Sequence, residues 1–423
     1  MPIAWNNPEI GVVPQLKPLT LQDMAEQGAH STQMLALVRD AMLSPKHTKE
    51  PPTFTLEHVA GLCRLTKQAL QYRLSKRADL PQGAVGKRGQ GRRFSLVEAR
   101  QWVKAMRPSP PRPPGQPGLV IAVANTKGGV GKTTTAFTLA QGLSRRGYDT
   151  LLFDADPQGS ATMLTGTVPE KDVDESDTVM PLIWGDEPDL RYAVRQTYWD
   201  GLDLIPSNTQ AYAAEMAIPG NAVKRRGKLW QQLLPGLKPL LQDFDVVIID
   251  TAPALSYMTI NALFAADGIL VPMPPTAIDY AAGVQFWSLF GDLATSLGDF
   301  DAGGLAGKTW DFTYVLPTNV DPRSTSYTVV RDWLTRTYGE KIFPAEIIKT
   351  EIAKNLSTEF NTSYDINRYD GGGDVFFRLR EGYDRLCEVM DFTLQRIWQD
   401  RAKREKVDDG ATSQEVRTEQ AAA

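Results

Sequence analysis

The chain has 423 residues, a formal net charge of −4, 42% apolar residues and 23% charged ones, which is the make-up of a soluble globular protein with two or three domains. No run approaches the ~18 consecutive apolar residues of a membrane span, and the opening MPIAWNNPEIGVV lacks the basic-then-apolar pattern of a signal peptide, so a cytoplasmic protein is expected. Cys63 and Cys387 have no C-x-x-C partner, and His30, His47 and His58 show no metal-ligand spacing, which argues against a disulfide scaffold or a zinc site.

Residues 1–50 are expected to be a helical segment. Met24, Met34, Leu35, Leu37, Val38, Met42 and Leu43 recur loosely at helical spacing, compatible with a helix packed on its own domain or with a dimerisation helix. Between Thr53 and Gly115 stand thirteen Lys and Arg against three acids, so this stretch is +10 and the rest of the chain −14. A basic module on an acidic body is the footprint of nucleic-acid binding.

Within 51–107, FTLEHVAGLCRLTKQALQYRL fits a helix-turn-helix. Ala60, Cys63, Leu65, Ala69, Leu70 and Leu74 fall at the contact of two crossing helices, and Thr55 and Thr66 are their N-caps. Lys67, Gln68, Gln71, Tyr72 and Arg73 then face outward, toward a DNA major groove. The turn position that glycine often holds is Arg64. A basic loop follows with Lys87, Arg88, Arg92 and Arg93, and then a capping box of Ser95 and Glu98 with Ala99, Trp102 and Val103 on the buried side. The combination resembles a winged helix-turn-helix of the MerR-like kind. PSPPRPPGQPG, residues 108–118 with six prolines, is expected to be an extended, semi-rigid linker.

From 119 to 400, apolar runs alternate with helical stretches. The runs at 119–124, 150–154, 202–206, 246–250, 268–272 and 313–317 are apolar on both faces, which predicts an α/β domain with a mostly parallel sheet covered by helices on both sides. The 401–423 tail is polar and non-periodic, and is expected to be disordered.

After the first run comes KGGVGKTT, residues 127–134, a phosphate-binding loop of the P-loop NTPase fold. Backbone N–H groups of Gly128, Gly129, Val130 and Gly131 can approach phosphate oxygens at a helix N-terminus. Lys132 should reach the β- and γ-phosphates, Thr133 should bind Mg²⁺, and Thr134 completes the loop. Thr126 replaces the usual first glycine, and beside it Lys127 is a charge the simple pattern does not require. Asp154 and Asp250 each end an apolar run, in FDADPQGSAT and VIIDTAPA. Ligands of open α/β sheets bind beyond the carboxyl ends of the strands, so both carboxylates should face the loop, Asp250 as the Walker B acid.

These three stretches together resemble the ParA/MinD family of deviant Walker A ATPases, most densely over 119–285. The resemblance implies ATP and Mg²⁺ as ligands and a homodimer that sandwiches ATP. It makes Lys127 the lysine that reaches the partner's nucleotide, Asp156 the group that orients the attacking water, and Asp154 a neighbour of the metal. Asn319, at a strand end, is a candidate for the adenine, and the lack of an N-K-x-D motif favours ATP over GTP. Lys349 and Lys354, with Arg368, Arg378 and Arg380, are candidate bases for non-specific DNA. TAPA carries one proline after the Walker B acid, where two are common in the family.

With its own helix-turn-helix, the chain resembles the large ParA class. The resemblance implies a nucleoid-associated partition ATPase with a ParB-like partner and autorepression of its operon in the ADP state. The alternative is a nucleotide-controlled repressor with no segregation role. A membrane-bound ATPase of the MinD kind would need a C-terminal amphipathic helix with a large apolar face, which the tail lacks.

Overall fold

The computed structural model describes residues 18–43, 48–85, 91–225, 228–300, 308–367, 369 and 373–422. The N-terminal part consists of helix α1 (Leu21–Leu43), strand β1 (Phe54–Thr55), helices α2 (Leu56–Leu62) and α3 (Lys67–Lys76), strands β2 (Ala84–Val85) and β3 (Arg92–Phe94), and helix α4 (Leu96–Met106). The three strands form a small antiparallel sheet in the order β1-β3-β2. Thr55 and Thr66 cap α2 and α3 by accepting from His58 and Ala69 N–H. Ser95 and Glu98 form the reciprocal capping box of α4. Phe54, Leu70, Leu74, Phe94 and Trp102 close the core between these elements.

Arg64 sits between α2 and α3 with φ 55°, the left-handed turn that glycine would take without penalty. The strain is offset from outside the module. Arg64 donates to Asp391 at 3.1 Å and lies over the Phe392 ring, both on the last helix of the chain.

The remainder is built on strands β4 (Leu119–Val123), β5 (Thr150–Ala155), β6 (Arg195–Gln196), β7 (Leu202–Ile205), β8 (Val246–Thr251), β9 (Gly268–Met273) and β10 (Phe312–Pro317). Their order is β10-β9-β4-β8-β5-β7-β6. All neighbours are parallel except β6, which pairs antiparallel with β7 at the edge. All six anticipated strands are present; β6, only two residues long, has no apolar run to announce it. Alternate residues of each strand enter separate cores. Ile121, Leu152 and Ile248 belong to one face, and Ala122, Phe153 and Ile249 to the other, the two-sided burial that a covered parallel sheet requires. Helix α5 (Lys132–Arg145) follows β4, and the final helix α6 (Gly373–Ala422) packs beside it. Gly142 makes this packing possible, because a Cβ there would lie 2.1 Å from the Cys387 sulfur. Both cysteines are free and buried.

Three expectations need correction. The 108–118 stretch is no spacer. Arg112 donates to Asp245 and to the Leu241 and Gln242 carbonyls, and Trp398 donates to the Pro117 carbonyl. The apolar core of the module is continuous with one face of the large sheet, so the linker is bonded along a surface the module already touches. The 401–423 tail is not disordered over 401–422; its backbone continues α6. A helix satisfies its own backbone polar groups, and the Ala, Arg, Lys, Glu and Gln of this segment are good helix formers. Third, Arg380 is buried over the Tyr364 ring and donates to the Ile366 carbonyl, so it is a packing residue and not an exposed base.

Candidate nucleotide site and basic module

The phosphate loop leaves β4 at Val123 and turns into α5 at Lys132. Gly129 and Gly131 have φ of 74° and 91°, conformations a side chain would strain. The loop is held from both sides. Asn125 accepts from Lys127 N–H and donates to the Pro272 carbonyl, while Thr318 Oγ1 donates to the Val130 carbonyl at 2.7 Å. Asn319, itself at φ 50°, donates to the Gly129 carbonyl at 3.3 Å.

Strand register does the rest. Val123 pairs with Asp250, and Asp250 pairs with Asp154, so chain positions far apart in sequence meet at one sheet edge. Lys132 is 7% exposed, and its ammonium donates to the Lys127 carbonyl at 2.9 Å. Burial lowers its pKa, and the Asp250 and Asp156 carboxylates oppose that shift. Asp250 is fully buried, and neither carboxylate oxygen has a hydrogen bond of good geometry, the Thr133 hydroxyl being its one nearby donor besides Lys132. Burial raises its pKa well above the usual value, the Asp154 charge adds to this, and the Thr133 hydroxyl counters it. An unsatisfied buried carboxylate beside a lysine and a threonine hydroxyl is a costly arrangement unless a cation completes it.

Asp154 differs from its neighbour. It accepts from Thr162 N–H and Oγ1 at 2.8 and 2.7 Å, so its carboxylate is partly engaged in holding the helix Ser160–Leu164, which follows β5. Its pKa is raised by burial and by the Asp156 charge, against those hydrogen bonds. Asp156 lines the open cleft, with Oδ1 accepting from Gln158 N–H at 3.0 Å.

The cleft measures about 860 Å³ and is lined by Gly128, Gly129, Gly131, Lys132, Thr133 and Thr134 on one side, and by Asn319, Lys349 and Lys354 on another. Its size suits a nucleoside triphosphate. Lys349 and Lys354 are thus brought to the nucleotide cleft, and Lys354 is paired with Glu351 at 2.8 Å. Among the described residues no three His, Cys, Asp or Glu side chains form a ready metal cage. Magnesium needs none, since it is held by few protein groups and completed by phosphate and water; Thr133 and Asp250 are the donors that fit.

Lys127 lies at the rim, half-exposed, with its ammonium 2.5 Å from Asp279 Oδ1. Asp279 in turn accepts from Thr276 Oγ1. Sequence reading missed Asp279, and nothing local could have found it, because its meaning comes only from the loop that β9 places opposite Lys127. Thr162 and Thr318 were missed for the same reason.

On the module, Lys67, Gln68, Gln71, Tyr72 and Arg73 are all exposed along α3. Arg92 and Arg93 lie half-buried on β3, and Lys87 and Arg88 fall outside the described residues. Other bases of the +10 stretch are engaged with the large domain. Arg100 is 5% exposed and donates to the Ser144 and Tyr148 carbonyls, Asp149 and Asp200. Lys104 pairs with Asp149, and Arg107 with Asp391. Asp391 also accepts from Arg64 and from Tyr148, which ties the helix-turn-helix to the large domain at one buried carboxylate.

Among the described residues, no helix is long and apolar enough to cross a membrane. A phosphate loop on a parallel sheet, with a buried acid at the end of the adjacent strand, defines a P-loop ATPase. Residues 118–296 match the family described as an AAA domain. A putative replication protein A of Rhizobium rhizogenes is 32% identical over 289 residues, covering 67% of this chain and 68% of that protein. Protein SopA of Escherichia coli K12 is 39% identical over 179 residues, 41% of this chain and 46% of SopA, so the match spans under half of SopA's length. A solved structure titled "Partition Protein" shares the fold, with a TM-score of 0.57 at 17% identity over 80% of this chain and 95% of that one. The chain belongs to the ParA/MinD family of P-loop ATPases.

Proposed function

We propose that the protein is a DNA-partition ATPase, for plasmid or chromosome segregation, that dimerises on ATP and hydrolyses it slowly. The observation that carries this reading is Lys127 at the rim of the cleft. It is a partly exposed cation paired only at the rim, with Asp279, in a chain that also bears an exposed recognition-type helix. The similarity to SopA supports it.

In this reading Lys132 and the loop N–H groups neutralise the phosphates, with Thr133 and Asp250 holding Mg²⁺, which supplies further charge neutralisation when bound. Asp156 orients the attacking water from the cleft wall. Lys127 leaves Asp279 and stabilises the developing charge on the partner subunit's nucleotide, so that turnover depends on dimerisation. The exposed apolar side chains of α1, among them Leu21, Met24, Leu37 and Met42, favour its use as a dimerisation helix. Helix α3 and the β2–β3 wing bind operator DNA. The ATP dimer binds DNA without sequence preference, and this places it on the nucleoid. A ParB-like partner stimulates hydrolysis, and the ADP form represses the operon.

The continuous core and the Asp391 clamp between the two domains favour one further reading, a nucleotide-controlled repressor with no segregation role. ATP turnover measured with random-sequence DNA, with the product of the neighbouring open reading frame, and with both, separates the two. A slow basal rate raised most by both together supports partition. Operator binding with turnover indifferent to all additions supports the repressor.

A further inference from the structure

We infer that Tyr212 is a positioning residue for ATP hydrolysis, acting on Asp156 through Gln158. The inference rests on the reading of Asp156 as the water-orienting group.

Asp156 is held in a tight turn by its own neighbours. Gln158 N–H donates to its carboxylate Oδ1 at 3.0 Å, and Gly159 N–H to its carbonyl at 2.9 Å. Gly159 has φ 64°, and a Cβ there would meet Pro169 Cγ at 2.6 Å and the Ser207 carbonyl at 2.9 Å. The turn therefore has one backbone path, with Oδ1 engaged and the other oxygen left for water. The weak point is Gln158, which is exposed and has only its side chain to fix it. That side chain crosses to another segment, where Nε2 donates to the Tyr212 hydroxyl at 2.7 Å.

Tyr212 has a firm base. It lies on the 3₁₀ turn Thr209–Ala213, capped by Asn208, whose amide also donates to the Val173 carbonyl. Thr209 donates to Glu170 through N–H and hydroxyl. Three residues beyond Tyr212, Glu215 accepts from the Tyr257 and Met258 N–H groups at 2.9 and 3.2 Å. Those groups open the helix Tyr257–Ala265, which follows β8. One short segment thus bonds to the loops beyond both acid-bearing strands, β5 and β8. Tyr212 itself is 52% exposed, so core packing does not explain it, whereas the hydroxyl contact does.

Without the hydroxyl the turn still folds, since Gln158 can bond water, but the Asp156 carboxylate loses its fixed direction. Small misplacements of a water-orienting group lower turnover more than binding. In full-length protein, Tyr212→Phe is expected to lower kcat about three- to tenfold, the range of one neutral hydrogen bond, with KM for ATP and thermal midpoint close to wild type. Gln158→Ala should lose the same factor, and the double variant should lose no more than either single one, as expected of two residues in one chain of contacts. Unchanged kcat in Tyr212→Phe, a KM that moves with it, or additive losses in the double variant would overturn the inference. Should Tyr212→Phe fold poorly, Gln158→Leu reads the same bond from its other end. Asp156→Ala separates the two levels. If it keeps full turnover, the reading of Asp156 fails and the role of Tyr212 with it. If it is inactive while Tyr212→Phe matches wild type, only the Tyr212 assignment fails.

Discussion

Two buried cations, Lys132 in the nucleotide cleft and Arg100 in the module, have opposite surroundings. Arg100 is surrounded by acceptors: two carbonyls and two carboxylates take up its guanidinium. Lys132 donates to one carbonyl and stands near Asp250, whose two oxygens have no hydrogen bond of good geometry. A buried charge whose hydrogen bonds are filled holds a structure together, whereas one left unfilled beside an unpartnered carboxylate awaits a ligand. The difference shows why a count of basic residues overstates a DNA surface. Arg64, Arg100, Lys104 and Arg107 of the +10 stretch are engaged with acids of the large domain.

This contrast can be broken by exchanging roles. Lys132→Ala should cut ATP turnover by about 100-fold or more while leaving the denaturant midpoint near wild type. Arg100→Leu should do the reverse. Asp149 keeps Lys104, but Asp200 loses its cation and the Ser144 and Tyr148 carbonyls lose a donor; with the acids partly exposed the cost is about 1–2 kcal/mol, read as a lower denaturant midpoint with ATP affinity retained. If Arg100→Leu is as stable as wild type, its hydrogen bonds are not what docks the module.

The two kinds of arginine and lysine should also part in their salt dependence. Lys67→Ala should weaken duplex binding and reduce the slope of log affinity against log salt by about 1; Arg100→Leu should leave the slope unchanged. Arg64 offers a finer cut, because both its conformation and its ion pair can be altered. Arg64→Ala and Arg64→Gly both lose the bond to Asp391, but glycine relieves the left-handed turn, so the glycine variant should be about 1 kcal/mol more stable than the alanine one in equilibrium unfolding.

The smallest effect concerns Asp203 on β7. Its pKa is raised to about 6, first by burial and then by the Asp149 and Asp200 charges, with Arg100 opposing. A carboxyl with a raised folded-state pKa favours the fold while protonated, and that contribution is lost as pH rises through about 6. Asp203→Asn should therefore gain stability above pH 6.5 or so and show no gain near pH 4, by under about 1 kcal/mol since the group is half-exposed. A gain that is flat across this range in pH-dependent melts would contradict the assignment.

How much of this the sequence disclosed follows from what each feature depends on. KGGVGKTT and the two strand-end acids were legible because a parallel sheet delivers successive strand ends to one edge, so local motifs imply a shared site. The caps Thr55, Thr66 and Ser95 were legible because capping is local. Asp279 and Tyr212 were not, since each acts through one contact that only the folded loops create. The engagement of Arg64 and Arg100 with acids of the large domain was hidden for a related reason: local pattern places a residue in a turn or on a helix face but does not say that a second domain lies against it. The linker misled in the same way, as proline richness predicts an extended path and not what lies along it. In the tail, polarity argued for disorder while the helix-forming residues present argued against it, and the latter prevailed.

In the proposed mechanism, hydrolysis requires Lys127 of one subunit at the nucleotide of the other. Mixing Lys127→Ala with Asp156→Ala protein tests it most directly. In the mixed dimer, the site of the Lys127→Ala subunit keeps its own Asp156 and receives an intact lysine from its partner. Each variant alone should be inactive, and the mixture should regain turnover as heterodimers form. A mixture as inactive as its parts, with heterodimers present under ATP, would contradict it.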